Sequence, residues 1–390
     1  MRATARSAPR SVMARLPSEL TAGKRPRWLE IVAIVLGVRA GFFVIGYAAN
    51  WLLTPQGGSP EPFLQLWDNW DVRHFVEIAT YGYTDPRTDP NAAAFFPAFP
   101  LLIRTVTSTG LSPVVAGMVI STVATMVAAA YLYRLAETDA GAGAGRRAVL
   151  YLVLFPTAVF LIVPYSEALF LAGAIPAFYY ARRNQWLAAS IPAALAVATR
   201  AAGIFLVFGL AVEFIRRNRP VRRHWHAGAI AAAVALAPLI AYGAYMSRAA
   251  GNPLQFLVDQ REGWDREFTW PWRALSTTWE AAFSDHLEPN FQIAFMGELV
   301  AVAVGIAVVL WAAARREWGY AAYMGALLAA LMTSVWYLSV PRILLTFFPG
   351  LVFLADATRR RPLRHEAVLV VFATLATLGV VVFTSQKWFY

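Results

Sequence analysis

The stretch WLEIVAIVLGVRAGFFVIGYAANWLL, Trp28 to Leu53, decides the fold class. A helix needs about 20 apolar residues to cross the hydrocarbon core of a bilayer. This run exceeds that length, with a glutamate near its start and a single arginine, Arg39, inside it. It is too long to be the core of a cleavable signal. Comparable runs recur, and spans are expected near 28–53, 112–134, 148–163, 166–181, 187–199, 202–215, 227–248, 291–313, 318–338, 343–357 and 366–384. If all of them cross, the chain makes about eleven crossings. The pairs around 148–181 and 187–215 are short, as tilted, broken or re-entrant helices would be. A transmembrane barrel is excluded, because its strands would alternate apolar and polar residues.

Composition agrees. Of 390 residues, 58% are hydrophobic and only 15% are charged, against about 25% in soluble domains. With no cysteine, disulfide and thiolate chemistry are excluded. The first 27 residues hold seven Lys/Arg, one acid and three prolines without apolar periodicity, which reads as a disordered basic cytoplasmic tail. Residues 28–390 are left as one all-α polytopic domain.

The net charge of +11 raises the question of nucleic acid. Its placement answers it. Alternate connections hold Arg134, Arg146 and Arg147; Arg182 and Arg183; five arginines from 216 to 223; Arg315 and Arg316; and four arginines from 359 to 364. With the tail, these are 23 of the 34 Lys/Arg, all on one side of the threading. By the positive-inside rule that side is cytoplasmic. The charge is a signal of topology, and no nucleic-acid partner is expected.

The opposite side carries two long outer loops, about 54–111 and 249–290, with six and seven acids, and the short turns VPYSE (163–167), ATRAAG (198–203) and SVPR (339–342). The first loop contains WDNWDVRHFVEIATYGY, Trp67 to Tyr83. From Val72, the apolar residues Val72, Phe75, Val76 and Ala79 fall on one helical face. Trp67, Trp70, Tyr81 and Tyr83 suit the headgroup level. Asp68 fits an N-cap and Asp71 the first turn of this helix, and Asp71 and His74, three apart, can face one site. In AFFPAFPLLIRTV (94–106), Pro97 and Pro100 are expected to interrupt helix, giving either a packed re-entrant loop or a groove wall for a lipid chain. At PYSE, Ser166 and Glu167 either begin the next helix or, with Tyr165, hold a sugar.

Arg200 and Arg342 lie between apolar stretches, outside every cytoplasmic cluster. A charge at that depth costs about 3 kcal/mol or more, so each needs a partner or a job. A planar guanidinium suits a phosphate clamp, and a structural pair with an outer-loop acid is the alternative. Arg39 follows the same logic, with Glu298 as its expected partner. In the second outer loop, Asp259, Gln260 and Trp264 are candidates to touch an acceptor, against a purely interfacial aromatic belt. There is no phosphate-binding glycine loop, no dinucleotide fingerprint and no HExxH, and the five histidines show no metal-ligand spacing. No metal or cofactor is therefore expected, although Asp68, Asp71 and Glu167 leave a divalent ion open. Without a soluble domain for a nucleotide sugar, the substrate must come through the membrane or from outside.

WDNWDVRHFVEIATYGY, AFFPAFPLLIR, PYSEALFL, ARRNQW with ATRAAGIFL, GNPLQFL and SVPRILL, in that order and spacing, resemble the PIG-V family of mannosyltransferases, GPI mannosyltransferase 2 and its bacterial relatives. The VPYSEAL turn departs slightly from that pattern. The resemblance implies a GT-C glycosyltransferase fold with interfacial helices in the first outer loop. It implies inverting transfer of mannose from a polyprenyl-phosphate donor at the extracytoplasmic face of the cell membrane to a lipid, glycan or protein acceptor. In such enzymes an acid of the first outer loop is the base or acceptor anchor. The matching position is Asp71, followed by His74, with Asp68 as the alternative. Arg200 and Arg342 are then the donor-phosphate clamp, and Tyr165, Glu167, Trp70, Gln260 and Trp264 the sugar and acceptor contacts. The competing reading is a lipid or glycolipid transporter, which would call for inverted repeats; none is evident.

Overall fold

The structure is a computed structural model that describes residues 28–218, 225–284 and 287–387. The expected tail, 1–27, and most of the arginine cluster at 216–223 lie outside the described residues. Among the described residues every regular element is helical. Five helices are long and apolar enough to cross a membrane: α1 (Trp28–Leu53), α4 (Pro113–Asp139), α9 (Trp225–Ala249), α12 (Pro289–Ala314) and α16 (Pro362–Thr384). Between them run shorter apolar helices, α6 (Glu167–Ala181), α7 (Trp186–Thr199), α8 (Ala202–Asn218), α13 (Trp318–Met332) and α15 (Phe348–Thr358). The chain is a multi-pass, all-α membrane protein.

The expected spans and the helices agree along most of the chain, and the exceptions have local causes. The span expected at 148–163 divides into α5 (Ala144–Val153) and a 3-10 turn, Ala158–Leu161. Pro156 lacks a backbone donor, and Pro164 ends the run. The span at 343–357 is preceded by a five-residue helix, α14 (Val340–Leu344), and restarts as α15 at Phe348 with Pro349 in its first turn. The span expected at 318–338 stops at Met332, and residues 333–339 continue without regular structure. Non-helical backbone at membrane depth is tolerated only where protein satisfies it.

Arg39 performs that task in α1. Its guanidinium donates to the carbonyls of Met118 (2.9 Å), Leu161 (3.1 Å) and Ile162 (2.6 Å). The Leu161 and Ile162 carbonyls belong to the end of the 3-10 turn, where a continuing α-helix would have used them internally, and the Met118 carbonyl ties Arg39 to α4. The expected pairing of Arg39 with Glu298 does not form: Arg39 needs no carboxylate because three carbonyls take its donors. Gly117 of α4 lies so close to Pro164 that a Cβ would stand 2.5 Å from the proline Cβ, and Ser121 donates to the Val163 carbonyl at 3.0 Å. The broken segment is thus clamped from α1 and α4.

The first outer loop carries α2 (Asp71–Tyr81) and α3 (Ala98–Thr107). Val72, Phe75 and Ala79 are buried on the face that the periodicity assigned to them. Asp68 is not the N-cap of α2. It ends a 3-10 turn at Gln65–Trp67, and Trp70 occupies the cap position without a side-chain bond. Pro97 and Pro100 do not interrupt a helix either. Pro97 caps α3 and Pro100 sits in its first turn, where a missing N–H costs nothing. The second outer loop supplies α10 (Gln255–Trp264) and α11 (Pro271–Phe283).

Arg39→Met removes three charge-assisted bonds and takes from the Ile162 carbonyl its side-chain donor, while Leu161 and Met118 keep Thr125 and Thr122. After the relief of the buried charge, the net cost expected is about 2–3 kcal/mol. A lowered thermal midpoint in detergent, partly restored by Arg39→Lys, would bear this out. An unchanged midpoint would mean that the carbonyls find other partners.

Candidate active site

Glu167 opens α6 and is fully buried. Its place in the first turn suits an anion, because the N–H groups of a helix start present partial positive charge. One oxygen, Oε1, accepts from two arginines: Arg200 Nη1 at 2.5 Å and Arg342 Nε. Arg200 lies in the two-residue break between α7 and α8, with extended backbone. Gly203 lets that break form, since a Cβ there would stand 2.4 Å from the Val197 Cα.

Arg342 arrives on α14. Ser339 precedes that helix in the left-handed region, φ 64°, a conformation unusual for a non-glycine residue. Glu298 of α12 holds the turn, accepting from the N–H groups of Ser339 (2.6 Å) and Val340 (2.8 Å). The Arg342 guanidinium stacks over Tyr165 at 4.5 Å and Phe160 at 5.1 Å. Its Nη1 donates to Asp71 Oδ2 at 2.6 Å.

Asp71 is the first residue of α2, and Trp70 before it is held at φ 57°, ψ −120°. Strained backbone of this kind persists only where its surroundings over-determine it. Here Asp71 N–H donates to the Tyr165 hydroxyl at 3.1 Å. The Asn69 side chain donates to the carbonyls of Leu66 (3.1 Å) and Phe383 (3.2 Å). Trp67 is wholly buried and flat against Gly46 of α1, where a Cβ would come within 3.0 Å of its ring.

The result is one continuous chain of charge, Asp71–Arg342–Glu167–Arg200. Exposure rises toward its ends: the side chains are 20% exposed for Asp71 and 18% for Arg200, but 9% for Arg342 and 0% for Glu167. Asp71 Oδ1 has no protein partner among the described residues, and only one nitrogen of Arg200 is engaged. The open valences are therefore a carboxylate oxygen at one end and guanidinium donors at the other. A hydroxyl to be deprotonated and an anion to be held match those two ends.

Other residues singled out in the sequence fall elsewhere. Tyr165 and Glu167, expected to contact a sugar, are closed off by protein groups and position Asp71 and the arginines instead. His74 stacks on Phe95 (4.7 Å) and meets Trp264 edge-on (5.8 Å), with Asp89 3.8 Å from its Nδ1. Gln260 donates weakly to the Ala94 carbonyl at 3.5 Å, and Asp259 accepts from the Ala93 N–H at 2.8 Å. His74, Gln260, Trp264 and Asp259 thus dock the second outer loop on the first. Trp70 is exposed beside Asp71, and Asp68 is exposed without a partner. Among the described residues no three His or acidic side chains gather as a metal would require.

One residue, Arg266, was missed, and Glu298 has another role than the pairing expected of it. Glu298 shapes the SVPR turn. Arg266, in the link between α10 and α11, donates to the Leu338 carbonyl at 3.4 Å and senses the charges of Arg200, Glu298, Arg342 and Asp71. Its sequence context, REGWDREF, contains Arg261 as well, and nothing local separates the two.

Replacing Glu167 with Gln leaves two guanidiniums bridged by a neutral amide. Breaking such a buried pair costs about 3–5 kcal/mol. The double variant with Arg200→Gln should lose less than the sum of the single changes. Additivity within about 0.5 kcal/mol in thermal unfolding would exclude the coupling.

No curated protein matches the chain. Among solved structures, ArnT from Cupriavidus metallidurans, in a structure described as bound to undecaprenyl phosphate, is similar at 13% identity and a TM-score of 0.43, over 90% of this chain and 77% of that one. Residues 61–217 match the family described as Mannosyltransferase (PIG-V). That matched span includes Asp71, Glu167 and Arg200, and Arg342 lies beyond it.

Proposed function

We propose that the chain is an inverting GT-C glycosyltransferase. It moves mannose from a polyprenyl-phosphate donor to a lipid, glycan or protein acceptor at the extracytoplasmic face. The observation that carries this reading is the meeting of Arg200 and Arg342 on the buried Glu167 carboxylate, with Asp71 paired to Arg342 and unused valences at both ends of the series. Asp71 Oδ1 takes the proton of the acceptor hydroxyl as its oxygen attacks C1 of the sugar. The C1–O bond to phosphate breaks, and the phosphate leaves with the electron pair. A single displacement inverts the anomeric centre. The leaving group is already a good anion, so the site has to supply positive charge for it, which the free donors of Arg200 provide. A divalent ion is left out, because Asp71 and Glu167 already hold arginines.

The placement of charge supports the outer face. Following α4, α6 and α8 away from the site leads in each case to a second cluster. There Arg182 meets Asp139 (3.1 Å) and Glu317 (2.8 Å), and Glu213 meets Arg216 and Arg217. The arginine-rich connections assigned to the cytoplasm lie at that end, and the Asp71 cluster lies at the other.

Asp71→Asn keeps the shape and an acceptor for Arg342 but removes the base. Transfer of labelled mannose from polyprenyl-phosphate mannose in membranes should fall by a factor of about 10² or more, with expression and thermal midpoint preserved. Full activity in that variant would eliminate Asp71 as the base. Arg200→Lys should raise the donor concentration needed for half-saturation; a donor curve identical to wild type would remove Arg200 from the phosphate site. Wild-type membranes that carry lipid across the bilayer but transfer no sugar would point instead to the transporter reading.

A further inference from the structure

Arg266 differs from the other guanidiniums at the site. Arg342 pairs with Glu167 and Asp71, and Arg200 pairs with Glu167. Arg266 makes no ion pair among the described residues, and its one side-chain bond is the long one to Leu338. Glu298, the nearby acid left over, has both oxygens taken by backbone N–H groups. Burial pulls Arg266 down to about 10, with the neighbouring charge of Arg200 adding to the effect. A half-buried cation without a counter-ion is costly.

The chain nevertheless holds it there from both sides. Asp265 adopts the left-handed conformation, φ 50° and ψ 31°, which aspartate tolerates better than most residues. The Arg266 N–H closes the turn on the Gln260 carbonyl at 3.1 Å. Upstream, Trp264 and Asp259 dock α10 on the first outer loop. Downstream, Thr269 N–H donates to the Thr333 carbonyl at 2.8 Å, beyond the end of α13. Two anchored points six residues or fewer from Arg266 fix it over the turn that bears Arg342.

We infer that Arg266 is the counter-charge for the phosphate as it leaves, binding the polyprenyl monophosphate product more strongly than the sugar-bearing donor. This inference rests on the donor reading above. The donor phosphate is a diester with one negative charge. When the C1–O bond breaks, the electron pair stays on phosphate, and the monoester approaches a second charge, with a second ionisation near pH 6 as for other phosphate monoesters. Arg200 and Arg342 are already partly neutralised by Glu167 and Asp71, so their attraction for the added charge is reduced. An uncompensated, fixed guanidinium gains most at that moment, which is where binding energy accelerates a reaction.

The test uses purified full-length protein in lipid nanodiscs, with two probes: polyprenyl monophosphate and polyprenyl-phosphate mannose. Affinities are measured from about pH 5.5 to 8 for wild type, Arg266→Gln and Arg266→Lys. Wild type should prefer the monophosphate increasingly as pH rises through its second ionisation. Arg266→Gln should weaken monophosphate binding about 10- to 100-fold, the value of one charge-assisted bond, change donor binding less than about 3-fold, and flatten the pH dependence. Arg266→Lys should restore part of the preference. If both lipids weaken equally, or the pH profile is unchanged, the role of Arg266 is refuted while the donor reading stands. If wild type binds neither lipid, the donor reading itself fails.

Discussion

One buried carboxylate organises this site. Glu167 has no exposed surface, and its Oε1 receives Arg200 from the α7–α8 break and Arg342 from α14. Two guanidiniums side by side would repel, and two at membrane depth would each be expensive. A shared carboxylate at a helix start offsets both penalties. It also ties together parts of the chain that are 33 and 175 residues from it in sequence. Asp71 then completes the series from the first outer loop. The value of such a buried pair lies less in net stability than in fixed position, and fixed position is what an anion site needs.

The same helices must be broken for those side chains to reach one place, and each break leaves backbone groups that lipid cannot satisfy. The protein meets this locally. Arg39 takes the Leu161 and Ile162 carbonyls of the broken segment after α5, and Glu298 takes the N–H groups of the SVPR turn. Both are intramembrane charges, and neither is a pair with an opposite charge. The left-handed residues tell the same story. Trp70, Asp265 and Ser339 stand immediately before Asp71, before Arg266, and at the start of the turn that carries Arg342. The turns at Trp70 and Ser339 are held from other elements, by Tyr165 and Glu298, and the one at Asp265 closes on Gln260 of α10 itself.

This distinction explains what could be read from sequence. The long spans, the alternation of arginine-rich connections and the buried face Val72–Phe75–Ala79 are periodic features, and periodicity is a local property. Arg200 and Arg342 were legible because a charge amid apolar residues is conspicuous at any depth. Asp71 came from the resemblance and from its place in the first turn of α2, where it meets Arg342. What stayed hidden was pairing at long range. Whether Glu298 meets Arg39 or a backbone turn depends on how helices cross, which no single window encodes. Pro97 and Pro100 look like breakers until the helix start is known, and then they are first-turn residues. Tyr165 and Glu167 looked like ligand contacts because they are polar at an outer turn. The fold uses them to support Asp71 and the arginines.

The far end of the bundle bears on how the site is kept. Asp139, Arg182, Glu213, Glu317 and Tyr320 join the distal ends of α4, α6, α8 and α13. The near ends of those helices carry or adjoin the Asp71–Arg342–Glu167–Arg200 series. Of these, α6 is held by charge at both ends, through Glu167 and Arg182, and α8 runs from next to Arg200 to Glu213, so neither slides without breaking an ion pair in a low dielectric. The second outer loop is attached differently. It follows α9, which buries little of itself in the protein, and it meets the site through Trp264, Gln260, Asp259 and Arg266. The paired frame and the docked loop thus divide the labour physically: the frame holds its guanidiniums through shared carboxylates, and the loop brings in Arg266, which makes no ion pair among the described residues.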